Sequence, residues 1–194
     1  MNKKKVTLLA VVVICLATLA TGTLAFFTAD DTAHNVITSG YVDIEVEEWQ
    51  QLPGSPDLEP YPMDKPINVM PGHTVSKIPM VHNLGSEAAW VRAKVDIRVY
   101  DANNRQMDLS PEQLDALFHL TGGSGWTEKD DGWNYYNYKL EGSLSTTPLF
   151  ESVTFDGPNM TNEYQNCTIH IDVKAQAVQF KNNPDALGWP DDTE

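Results

Sequence analysis

Three stretches of the chain alternate apolar and polar residues with a period of two. In residues 41–49, Val42, Ile44 and Val46 fall on one side and Asp43, Glu45 and Glu47 on the other. In residues 90–100, Val91, Ala93, Val95, Ile97 and Val99 oppose Arg92, Lys94, Asp96 and Arg98. In residues 167–180, Ile169, Ile171, Val173, Ala175 and Ala177 oppose His170, Asp172, Lys174 and Gln176. Successive side chains of a strand point to opposite faces, so each stretch predicts a half-buried strand. Shorter strands are predicted at 74–83, 134–140 and 149–155, each bounded by Gly, Pro, Asn or Ser. Clean alternation belongs to antiparallel sheets with one wet face, whereas strands buried on both faces read as continuous apolar runs. The predicted fold class is all-β, an antiparallel β-sandwich.

One helix interrupts the strands. Ser110 is a good N-cap, Pro111 suits the first helical position, and Gln113 completes a capping box with Ser110. Leu109 and Leu114 can staple the start, and Leu114, Leu117 and Phe118 form an apolar stripe. The run Thr121-Gly122-Gly123-Ser124-Gly125 is expected to end a helix of about ten residues, too short to be stable unless it packs on the sandwich. Residues 50–66 hold prolines at 53, 56, 60, 62 and 66 and read as a surface loop or an extended edge segment.

The beginning of the chain follows a different pattern. Lys3-Lys4-Lys5 precede an apolar run over 6–20, then small residues at Thr23-Leu24-Ala25, then Phe26-Phe27-Thr28-Ala29-Asp30-Asp31. That order is the build of a secretory signal peptide, with cleavage expected after Ala25, before Phe26. A membrane span takes about 20 consecutive apolar residues; this run is shorter and is diluted by Thr7, Thr18, Thr21 and Gly22. Cys15 lacks the small residue before it that lipoprotein processing wants. The expected division is a signal peptide over 1–25 and one secreted domain over 26–194.

Charge narrows the partners. The chain has 27 acidic and 13 basic residues, a net charge of −14. Removal of 1–25 leaves ten basic residues against the same 27 acidic ones, a balance of −17. Nucleic acid and anionic membranes are not expected partners, because their phosphates require clustered Lys and Arg. Cys167 is the one cysteine after residue 25, so no disulfide within the domain is expected, and its setting among alternating apolar residues reads as a small core hydrophobe.

Catalytic patterns are missing from the sequence. It has no His-Glu-x-x-His, no Gly-x-Ser-x-Gly and no phosphate-binding loop. His34, His73, His82, His119 and His170 are scattered, and each reads as a surface or hydrogen-bonding histidine. The pairs Asp30-Asp31, Glu47-Glu48, Asp130-Asp131 and Asp191-Asp192 lack the spacing of a calcium loop and read as solvated surface. Asn159 and Asn166 begin glycosylation patterns and receive no role. No catalytic residue, metal or cofactor is expected. Residues 126–138 are rich in rings, and Trp133, Tyr135 and Tyr136 are a candidate aromatic interface or carbohydrate platform; rings lining a sheet corner are the alternative.

Two early motifs carry a resemblance: Gly22-Thr23-Leu24-Ala25-Phe26-Phe27-Thr28-Ala29-Asp30, and Ile37-Thr38-Ser39-Gly40-Tyr41-Val42-Asp43-Ile44. Later ones are Pro71-Gly72-His73-Thr74-Val75, Val81-His82-Asn83-Leu84-Gly85-Ser86, Trp90-Val91-Arg92, Asp131-Gly132-Trp133-Asn134-Tyr135-Tyr136, Thr147-Pro148-Leu149-Phe150 and Ala175-Gln176-Ala177-Val178-Gln179. In this order they resemble the TasA/camelysin family of Gram-positive biofilm matrix proteins, especially its BsaA-like branch. The resemblance implies a jelly-roll sandwich, processing by a SipW-type signal peptidase, and self-association into extracellular fibres, with other matrix proteins or polysaccharide as further partners. It also implies donor-strand exchange, in which residues 26–37 of one subunit fill a groove of the next, anchored by Phe26 or Phe27, Val36 and Ile37. The competing reading of 26–37 is a strand that completes the subunit's own sheet. Two other functions stand beside the fibre: a camelysin-like metallopeptidase, for which the sequence offers no metal motif, and a carbohydrate-binding adhesin.

Overall fold

The computed structural model describes residues 27–30, 33–35, 42–62 and 67–190; for 27–30, 33–35 and 68 the backbone alone is described. The expected signal peptide over 1–25, the cleavage residues Ala25 and Phe26, the anchors Val36 and Ile37, and the acidic end 191–194 lie outside the described residues.

The alternating stretches form the centre of the fold. β8 (Ala89–Tyr100) and β13 (Thr168–Gln179) pair antiparallel along twelve residues each, from Thr168 opposite Tyr100 to Gln179 opposite Ala89. This register sets Val91 against Ala177, Ala93 against Ala175 and Val99 against Ile169 on the core face. On the other face it sets Arg92 against Gln176 and Arg98 against His170. β11 (Asn134–Tyr136) extends the sheet from β8, and β10 (Trp126–Glu128) pairs with β11. Beyond β13 lie β1 (Phe27–Asp30), β2 (Ala33–Asn35) and β5 (Ile67–Val69).

Two three-stranded sheets form the opposite layer. One has the order β4 (Leu58–Pro60), β3 (Ile44–Gln51), β7 (Ile78–Asn83); the other has β6 (Thr74–Ser76), β12 (Ser152–Phe155), β9 (Phe118–Thr121). Ile44 and Val46 from β3, Val81 from β7 and Val153 and Phe155 from β12 join the apolar face of β8 and β13 in one connected core. The molecule is an all-β sandwich, with one short α-helix, α1 (Pro111–Leu117), among the described residues.

The expected strand over 74–83 is two strands. β6 pairs with β12 and β7 pairs with β3, and Lys77 stands at the corner where the chain passes between sheets. Its N–H donates to the Glu151 carbonyl at 3.2 Å. Strands that change sheets turn such corners at a bend, which interrupts the ladder.

The helix begins as expected. Gln113 N–H donates to Ser110 Oγ at 3.3 Å, and Ser110 N–H donates to Gln113 Oε1 at 2.8 Å. It ends at Leu117, earlier than expected, because Phe118 to Thr121 takes the open edge of β12 instead. The Phe118 and Phe155 rings meet edge to face, their centres 5.7 Å apart. Gly123, expected only to stop the helix, brings the chain against residue 149: at φ +81°, a Cβ there would lie 2.4 Å from the Leu149 carbonyl oxygen. The strands expected at 134–140 and 149–155 shorten to β11 and β12, and Leu140 makes an isolated bridge to Ala89.

Candidate assembly site

β13 is the strand on which the site is built. One edge is taken by β8 along its whole length. On the other edge, Thr28, Ala29 and Asp30 of β1 face Thr168, Ile169 and His170, and Ala33, His34 and Asn35 of β2 face Val173, Lys174 and Ala175. Each partner's number is 140 higher, so β1 and β2 keep a single register along β13. Both run parallel to β13, and among the described residues every other ladder is antiparallel. β5 closes the outer edge of β1, with Phe27 opposite Val69 and Ala29 opposite Ile67.

A hairpin neighbour is tied to its partner by a tight turn, but a parallel neighbour needs a long crossover. Here most of the chain separates β1 and β2 from β13. The hydrogen bonds of this ladder involve backbone groups alone, so they are equally available to a strand from the same chain or from another copy. Within one chain, 27–30 and 33–35 lie in the subunit's own sheet, with Phe27 at the start of β1.

The aromatic corner sits at the far side of the same sheet. Trp133 is buried, and the Arg92 guanidinium carbon lies 4.3 Å from its ring centre and 4.9 Å from that of Trp189. Arg92 Nε and one terminal nitrogen donate to Gln176 Oε1 at 2.8 and 2.6 Å, and further bonds reach Tyr135 OH and the Pro190 carbonyl at 3.1 Å each. Tyr135 OH donates to Asp131 Oδ2 at 2.6 Å. That hydroxyl, helped by the Trp133 N–H and Arg92, holds the Asp131 carboxyl below the usual carboxylate range. Tyr136 packs between Trp126 and Tyr138, at 5.0 and 5.6 Å, and Tyr138 is the exposed ring of the group. The three predicted interface rings therefore sit in one corner, with Trp133 and Trp189 both against the Arg92 guanidinium.

Glu48 corrects an expectation. Instead of solvated surface it is 8% exposed, and its Oε1 lies 2.8 Å from Nζ of Lys77, itself 1% exposed. The signal was present: Glu48 continues the phase of Val42, Ile44 and Val46, and that face is the core face. The strand reading of 74–83 hid the bend that turns Lys77 inward.

The histidines sit in separate places. His82 Nδ1 lies 2.9 Å from Ser145 Oγ, which donates to Glu47 Oε2 at 3.3 Å. The serine stands between histidine and acid, the reverse of the order that activates a nucleophile. His119 pairs with Asp156 at 3.3 Å, His170 packs edge-on against Tyr100, and His73 is exposed. Among the described residues no three His, Cys, Asp or Glu side chains gather as a metal site. Cys167 is 2% exposed, and burial pushes its thiol up, away from the reactive thiolate. Among the described residues no helix is long and apolar enough to cross a membrane.

Comparison with protein families, curated proteins and solved structures finds no match to this chain.

Proposed function

We propose that the protein is a secreted structural subunit that polymerises into extracellular fibres, the segment 26–37 of one copy filling the slot beside β13 in the next. The observation that carries this reading is the parallel, single-register ladder of β1 and β2 on β13. That ladder is covalently remote from its partner, so exchange between copies keeps every hydrogen bond. Head-to-tail exchange of this kind does not close on itself and yields filaments. The export signal and the family resemblance read from the sequence agree with it. Cleavage after Ala25 frees the segment and licenses assembly.

The test uses the register. With Cys167→Ala in the background, Asp30→Cys and His170→Cys place a thiol pair across the ladder. After oxidation, exchange produces a ladder of covalent multimers on a non-reducing gel, together with fibres by electron microscopy. A disulfide-closed monomer alone, or undiminished fibres after deletion of 26–36, excludes strand exchange.

A further inference from the structure

The buried pair at the sheet corner has the makings of a reaction. Glu48 stands opposite Pro79 in the β3–β7 ladder, and Lys77 is two residues before Pro79, between β6 and β7. The Glu48 carbonyl accepts from Tyr61 N–H at 2.9 Å, which fixes the buried Tyr61 ring beside the pair, 4.8 Å from Lys77 Nζ. Neither carboxyl oxygen of Glu48 accepts a hydrogen bond from another donor among the described residues. Both side chains are almost wholly withdrawn from solvent, at 1% and 2% exposure. The 2.8 Å contact between Nζ and Oε1 leaves the amine nitrogen within about 4 Å of the carboxyl carbon, so that a turn of the carboxyl plane is what would bring the carbon into line for attack.

We propose that Lys77 and Glu48 condense to an intramolecular amide, a covalent link between β3 and the β6–β7 corner. In water this reaction is opposed by the hydration of the two ions it would consume. Burial removes that hydration: it pushes the Glu48 carboxyl up to about 8 and the Lys77 ammonium down to about 6. One proton passes from Nζ to the carboxylate, leaving a neutral amine and a neutral acid. The Nζ lone pair then attacks Cδ of Glu48, the Nζ–Cδ bond forms and the Cδ–OH bond breaks. The hydroxyl leaves with one amine proton as water, so atoms and charge balance without a further reagent. The apolar corner that favours the neutral pair also keeps out the water that hydrolysis would need. The link closes the loop from 48 to 77 in a domain that has no second cysteine for a disulfide.

The test is mass spectrometry of the purified, folded protein. The expected intact mass is one water below the sequence mass. Cleavage before aspartates is expected to release 43–56 joined to 64–95, with fragmentation placing the bond between Glu48 and Lys77. Lys77→Arg is expected to restore the full mass and release the two peptides separately. A folded wild-type protein of full mass with free 43–56 and 64–95 overturns the proposal. So does a water loss that persists in Lys77→Arg. Neither result depends on fibre formation, so the cross-link and the assembly reading stand or fall separately.

Discussion

Arg92 and Lys77 are both buried cations, and the fold treats them differently. Arg92 is 7% exposed, yet its planar fork meets two acceptor side chains, a carbonyl and the faces of two indoles. The contacts of Lys77 include one carboxyl oxygen and one ring face. A guanidinium keeps its charge under any ordinary condition, so burying it requires many partners. An ammonium can give up its proton, so burial, which disfavours charge, pulls Lys77 and its buried acid toward neutrality. The first corner is electrostatically finished; the second holds reactive groups in contact.

The largest test of that contrast is Lys77→Met. In the variant Glu48 is buried without its partner, which costs about 3–5 kcal/mol once the carboxyl is ionised, and urea denaturation at pH 9, above the Glu48 value of about 8, is expected to show it. The variant should also respond to acid in a revealing direction. Burial alone raises the Glu48 carboxyl, and Met preserves that burial. Folded Glu48 then holds a proton up to about pH 8 that the unfolded chain releases above 4.5. Stability of the variant is therefore expected to rise as the pH falls from 8 toward 4.5, and a flat profile would place Glu48 in solvent.

Arg92→Lys comes next. It keeps the charge but loses the fork and the stacking, at an expected cost of about 1–3 kcal/mol, read by urea denaturation together with a change in indole fluorescence from Trp133 and Trp189. The Arg92 corner also answers acid with the opposite sign. Asp131 is held below its ordinary 3.8, so its contribution is complete above that pH and is lost as the pH falls through the lower folded value. Asp131→Asn is expected to remove that part of the acid slope. At the small end stands Arg105→Ala. Its partner Asp101 keeps backbone hydrogen bonds from Asn103 and Arg105, and the exposed pair is expected to leave the urea midpoint unchanged.

Much of the frame was legible because period-two alternation records which face of a strand is dry. β3, β8 and β13 lie where the pattern places them, and the Ser110 capping box starts the helix at Pro111. What escaped were choices made by distant partners. Phe118 can continue a helix or begin a strand, and the open edge of β12, thirty-odd residues away, decides for the strand. Lys77 sits mid-strand in the sequence and at a corner in space, since β6 and β7 answer to different neighbours. Glu48 was readable in phase, but its acidic neighbours disguised it as surface. The parallel ladder of β1 and β2 was not readable at all, because no local pattern says which distant strand a short segment will choose.

The constant offset along that ladder works as a vernier. β1 and β2 stay in step with β13 only because the count of residues between Asp30 and Ala33 is fixed. Inserting or deleting a single residue there would leave Phe27–Asp30 seated while turning Ala33–Asn35 to the opposite face. The spacer is thus a gauge, and a leading segment miscounted there would fit β13 in its first half alone.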